Sequence, residues 1–184
     1  MIKRLFICCS ILLVVSASFK SSSGIYTIYK GSVSFRSDAP LELIQASSSE
    51  LKGLIQTDTK QFAFSIKIKS FMGFNSALQK EHFNENYLES DKFPDATFSG
   101  KIIEDVDFAN DNTSTVRAKG ILTIHGVPQE RIIKSTITIK DGMISLSSDF
   151  TVLLADHNIP IPKVVHEKLA SEIKVAINAE LKPR

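Results

Sequence analysis

The side chains able to do chemistry in this 184-residue chain are few: four histidines, and acidic residues that gather in one loop. His82 follows the helix formers Leu78, Gln79, Lys80 and Glu81, and at about 100° per residue it shares a helix face with Phe74 and Leu78. There it either orients the head group of a bound molecule or packs on and caps the helix; it is the candidate mouth or head-group contact. His125 has the parity of Arg117 and Lys119 in an alternating segment, so it reads as a turn residue at a rim, not an inward ligand. His157 and His166 stand in no His-x-x-x-His or Glu-x-x-His spacing, and no zinc site is expected. Asp105, Asp107, Asn110, Asp111 and Asn112 crowd one stretch that lacks the glycine and distal glutamate of a helix-loop-helix calcium loop, so an ordinary turn is the reading. Without a Gly-x-Ser-x-Gly elbow, a Walker-type loop or a dinucleotide fingerprint, no catalytic residue, metal or cofactor is assigned, and the chain does not read as an enzyme.

The elements that must position these groups are mostly strands. Gln61–Lys69 is the clearest, with Phe62, Phe64, Ile66 and Ile68 on one face and Ala63, Ser65, Lys67 and Lys69 on the other. Ile25–Phe35 is a strand whose parity shifts near Lys30-Gly31, where a bulge fits; Leu41–Ile55 reads as two strand pieces joined by a bend. One interruption stands out, Leu78–Lys101. It opens as a short helix, Ser76–Leu88, started by Asn75 or Ser76, is stopped by Phe93-Pro94, and returns to strand at Ala96–Ile102. Val116–Ile124 alternates and turns at His125-Gly126-Val127-Pro128. Arg131–Lys140 then meets Met143–Leu154 through an Asp141-Gly142 hairpin that places Ile144, Leu146, Phe150 and Val152 on one side. Pro160 and Pro162 bracket a linker, Lys163–Ser171 is expected as a second short helix, and Ile173, Val175, Ile177, Ala179 and Leu181 form the last strand.

Composition and charge bound the setting. Lys3 and Arg4 precede an uncharged run from Leu5 to Val15 and a Val15-Ser16-Ala17 cleavage pattern, so residues 1–17 read as a secretory signal peptide and 18–24 as a flexible leader. The apolar run falls short of the roughly 20 residues of a membrane span, so stable membrane insertion is not expected and the domain, residues 25–184, should be periplasmic or secreted. Lys3 and Arg4 are two of 22 basic residues, and their loss leaves 20 against 20 acidic ones, a neutral chain unsuited to nucleic acid. Both cysteines, Cys8 and Cys9, lie in the signal, so the mature domain has neither thiol nor disulfide and depends on its core.

Eight or nine strands, mostly hairpin-linked, with two short helices and no βαβ rhythm, favour an all-β fold: an antiparallel eight-stranded barrel, closed so that no edge is left unpaired. Over nearly the whole mature chain, Ile25 to Leu181, the sequence resembles the YceI-like family of exported bacterial proteins with a lipocalin-like barrel. The resembling pieces are Tyr26-Thr27-Ile28 to Val33-Ser34-Phe35, Glu81-His82-Phe83 to Phe93-Pro94-Asp95-Ala96-Thr97-Phe98, and Gly120-Ile121-Leu122-Thr123-Ile124-His125-Gly126-Val127. It departs at Gln79-Lys80-Glu81, where many members carry an Arg-Asp pair just before the histidine. The resemblance implies a long apolar pocket that in some members holds a polyisoprenoid. Parity then assigns the lining to Phe62, Phe64, Ile66, Val116, Leu122, Ile124, Phe150, Val152, Val175 and Ile177. The expected function is to carry a small apolar ligand, an isoprenoid or other lipid. A filled barrel serving as a structural or interaction protein of the envelope is the alternative, and an enzyme comes third.

Overall fold

The computed structural model describes residues 24–184. The expected signal peptide at 1–17, and all of the expected leader except Gly24, therefore lie outside the described residues. Nine strands follow one another: β1 (Ile25–Asp38), β2 (Leu43–Ser48), β3 (Lys52–Gln56), β4 (Gln61–Lys67), β5 (Asp95–Ile102), β6 (Asn112–Ile124), β7 (Val127–Lys140), β8 (Met143–Leu153) and β9 (Glu172–Pro183). Every pair is antiparallel, each strand from β3 to β9 pairs with the next, and β1 closes the ring by pairing with both β3 and β9. The result is an eight-stranded barrel with one additional strand, β2, which lies alongside the second half of β1 from Val33 to Asp38.

Local chemistry explains the irregular places. β1 changes register between Ile28 and Lys30, and the bulge reconciles the two parities of its ends. The Asp141-Gly142 turn joins β7 to β8 with both residues at positive φ, 51° and 73°, the backbone that matches strand twist in a two-residue hairpin. His125-Gly126 does the same between β6 and β7, at 52° and 71°. Val127 and Pro128, expected in that turn, instead open β7 and pair with Ile124 and Thr123. Proline is tolerated there because it stands at the start of the strand. Gly100 and Gly120 face each other across β5 and β6 so closely that a Cβ on Gly100 would lie 2.1 Å from the Lys119 carbonyl oxygen. No other residue fits at that crossing.

The stretch between β4 and β5 carries α1 (Ala77–His82), the one α-helix among the described residues, and a π-helical turn at Phe83–Tyr87. The Ser76 hydroxyl accepts the Gln79 backbone N–H at 3.1 Å, capping the helix start. The second helix expected at Lys163–Ser171 is a single 3-10 turn, Lys163–Val165, followed by hydrogen-bonded turns. Pro160 and Pro162 hold the chain extended up to that turn, and its end is fixed by Ser37, which accepts the Ala170 N–H at 2.9 Å.

The core is not evenly distributed along the barrel. At one end Ile55, Val116, Ile137, Ile144 and Leu181 are at most 1% exposed and fill the lumen. Complete burial of each such side chain stabilises the fold by about 1.5–3 kcal/mol. Toward the other end a second, smaller cluster of Ile68, Leu88, Leu154, Ile159 and Ile173 seals the gaps among the crossover segments. Between the two, inward residues such as Phe64, Phe98, Phe150, Val175 and Ile177 are only half-buried, although they point away from solvent. Interior side chains in that state line a hollow.

Candidate functional site

The hollow is a cavity of about 450 Å³ in the half of the barrel that holds α1. This is within the range of small-molecule sites, about 300–1,000 Å³. Period two supplies its strand walls. Phe64 and Ile66 come from β4, Ala96 and Phe98 from β5, Leu122 and Ile124 from β6, Phe150 and Val152 from β8, and Ile173, Val175 and Ile177 from β9. None of the strand residues lining it is charged.

Where β2 leaves the sheet path, aromatic rings complete the wall. Phe35 stacks on Phe83 at 5.2 Å between ring centroids, and Phe71 and Phe74 lie 5.5 and 6.0 Å from Phe35. The π-helical turn begins at Phe83, and such one-turn bulges recur where a helix carries a functional side chain. In this chain it closes with Leu88 N–H donating to the Phe83 carbonyl at 3.0 Å, and it brings Phe83, Tyr87 and Leu88 to the cavity.

The charged and larger polar groups, Glu42, Gln79, His82 and Lys168, come from the segments outside the strands that form the mouth, while the strands add only Ser37, Ser65 and Thr97. Gln79 donates its side-chain N–H to Glu42 at 2.8 Å, tying α1 to the segment before β2. The Leu41 N–H donates to the Glu167 carbonyl at 2.9 Å, tying that segment to the turns before β9. Burial, with the Glu42 carboxylate nearby, raises the Tyr87 hydroxyl above the ordinary tyrosine value and keeps it a neutral donor. His82 is exposed at this mouth on α1.

Of the ten residues expected to line the pocket, Phe64, Ile66, Leu122, Ile124, Phe150, Val152, Val175 and Ile177 surround the cavity. Phe62 and Val116 do not. Phe62 is 4% exposed and packs on the rings of Phe98 and Phe64 at 4.9 and 5.5 Å, and Val116 is 1% exposed in the filled end. Parity sends both inward, but it carries no information about height along the barrel axis, and both stand below the hollow. The residues that strand reasoning missed, Phe35, Phe71, Phe74 and Phe83 among them, come from the bulged strand and the crossover, where no period applies. Their signal was the density of phenylalanine between Phe71 and Phe83.

Two of the remaining histidines are held by the fold, while His166 is exposed in the turns before β9. His125 sits in the β6–β7 turn, donates from Nδ1 to the His157 carbonyl at 3.1 Å, and meets the Glu89 carboxylate through Nε2 at 2.6 Å, with Phe93 edge-on to its ring. His157 is fully buried and donates from Nδ1 to the Val127 carbonyl at 3.0 Å. The acidic loop between β5 and β6 is organised by Asp107, which accepts the Ala109 and Asn110 backbone N–H groups at 2.9 and 3.3 Å, while Asp105 pairs with Lys60. Among the described residues no three of His, Cys, Asp and Glu converge as metal ligands.

A closed antiparallel barrel with an apolar pocket at one end belongs to the small eight-stranded barrels, whose interior is either filled by side chains or wide enough for one small ligand. A family model, the YceI-like domain, matches residues 14–181, and the chain belongs to that family. Solved structures share the fold at low identity. A polyisoprenoid binding domain from Saccharophagus degradans, implicated in plant cell wall breakdown, superposes with a TM-score of 0.71 at 16% identity over 86% of this chain and 98% of its own. BcnA from Burkholderia cenocepacia gives 0.67 at 15% identity, covering 82% of this chain and 95% of its own. A YceI protein from Campylobacter jejuni gives 0.56 at 21%, covering 71% and 80%. The chain matches no curated protein.

Proposed function

We propose that this protein is an exported, non-enzymatic carrier that holds a long apolar molecule, an isoprenoid or other lipid, inside its barrel. One observation carries the reading: the cavity of about 450 Å³ has strand walls without a charged residue, and its charged side chains, Glu42 and Lys168, come from segments outside the strands. Such a wall offers little to a polar substrate. A hydrocarbon gains about 0.8 kcal/mol for each methylene it buries there, so a partly enclosed prenyl chain binds without any ion pair. The name of the Saccharophagus structure, a polyisoprenoid binding domain, supports the same class of ligand. Export rests on Lys3, Arg4, the apolar run and the Val15-Ser16-Ala17 pattern. The alternative, a filled barrel, describes the end around Ile137 and Leu181 but not the end around α1.

A ligand that binds only the folded protein stabilises it by RT ln(1 + [L]/Kd), about 2.7 kcal/mol at a hundredfold excess over Kd. Added farnesol is therefore expected to raise the melting temperature by several degrees. An unchanged midpoint with farnesol, longer prenols and fatty acids alike would leave the filled barrel as the better account.

A further inference from the structure

The cavity ends on a floor, and the floor is specific in composition. Below it lies a second, far smaller void of about 30 Å³, enclosed by filled-end residues such as Phe62 and Val116. Four side chains face both spaces: Phe64, Phe98, Phe150 and Ile177. Phe64 and Phe98 are directly paired across β4 and β5. Phe150 and Ile177 come from the paired strands β8 and β9, which stand opposite β4 and β5 in the ring. Three rings and one branched side chain thus stand on opposite walls at the level where the two spaces adjoin. Phe62 braces Phe98 and Phe64 from beneath, with ring centroids 4.9 and 5.5 Å away. The space below is too small for more than about one water, and its wall includes the buried Ser135 and Ser148 hydroxyls, bonded to each other at 2.9 Å.

We propose that Phe64, Phe98 and Phe150 form a ruler that sets the length of apolar chain the barrel accepts. The inference rests on the carrier reading and adds a specificity-determining element to it. A chain threads from the mouth near α1 and stops at the ring layer. At about 30 Å³ for each water-sized group, the space above the floor holds about 15 heavy atoms, near three prenyl units. Units beyond that number stay at the mouth, where burial is incomplete and little affinity is gained.

The test is a titration of the full mature protein with geraniol, farnesol, geranylgeraniol and solanesol, read by isothermal calorimetry or competition with a fluorescent prenyl probe. Affinity in the natural sequence is expected to rise by about tenfold or more from geraniol to farnesol, then to level off, because only the shorter prenols add buried carbon. Phe150→Ala removes a ring nearly the size of one prenyl unit and joins the lower void to the cavity, so the levelling point moves to a longer prenol. Since that variant also empties core volume and loses stability, a second one works in the opposite direction. Leu122→Phe fills hollow space directly opposite Phe98 in the strand register, and moves the levelling point to a shorter prenol. If prenols bind but affinity climbs steadily to solanesol, or levels at the same length in all three proteins, the ruler is refuted and the carrier stands. If no prenol binds, the carrier reading falls and takes the ruler with it.

Discussion

At the residue scale, the carrier reading divides the labour between rings that would supply affinity and polar groups that would trim it. Phe150 stands in the cavity wall, half-buried by the barrel and otherwise facing the hollow, so a carboxylate in its place would be desolvated by any apolar occupant. Phe150→Asp is expected to abolish prenol-induced stabilisation while circular dichroism confirms that the barrel persists. His82 is exposed at the mouth, and His82→Ala should weaken binding by no more than about 1 kcal/mol, the value of one hydrogen bond. The reverse ranking, with His82 dominant and Phe150 silent, would move the site from lumen to rim. Alternation in the sequence revealed which way Phe64, Ile66, Leu122 and Phe150 point, since a period of two leaves no other choice. It did not reveal that Phe62 and Val116 lie under the floor, because height in a barrel depends on stagger between strands, which no single strand encodes.

At the element scale, the mouth is built from segments held by isolated hydrogen bonds, not by ladders. The turn Leu154–His157 is pinned to the start of β7 by His157, whose Nδ1–H reaches the Val127 carbonyl while Nε2 is buried without a partner. Burial is the largest influence on this imidazole and lowers its affinity for a proton below the ordinary histidine value; the Val127 hydrogen bond and Asp156 oppose it only in part. The sign follows. Below about pH 6.5 the unfolded chain takes up a proton that the folded chain refuses, so stability is complete above that value and declines as the pH falls through it. The melting temperature should fall between about pH 7 and 5, and His157→Gln should flatten that slope. Equal slopes in the two proteins would mean that other groups govern the acid limb. The hairpins were legible because Asp141-Gly142 and His125-Gly126 have few conformations that join two strands. The second helix was not, since nothing in Lys163–Ser171 shows how Ser37 and Leu41 capture its backbone.

At the scale of the whole molecule, one closed sheet is divided along its axis into a packed end that stabilises and a hollow end that, on the carrier reading, binds. Eight alternating segments and hairpin connections made closure readable in advance, because an open sheet of that length would expose its edges. The boundary between packed and hollow was not readable, since Ile137 and Val175 follow the same alternation and only the first is fully buried. Export predicts that N-terminal sequencing of protein recovered outside the cytoplasm begins near Ser18; a retained Met1 on that material would contradict it. The central claim is that the cavity above Phe64, Phe98 and Phe150 is occupied by an apolar chain in the cell. Mass spectrometry of an organic extract from gently purified protein tests it most directly. A stoichiometric prenyl or other long-chain lipid is expected from the natural protein and is expected to be lost from Phe150→Asp, whereas an extract free of lipid from the natural protein would overturn the carrier reading.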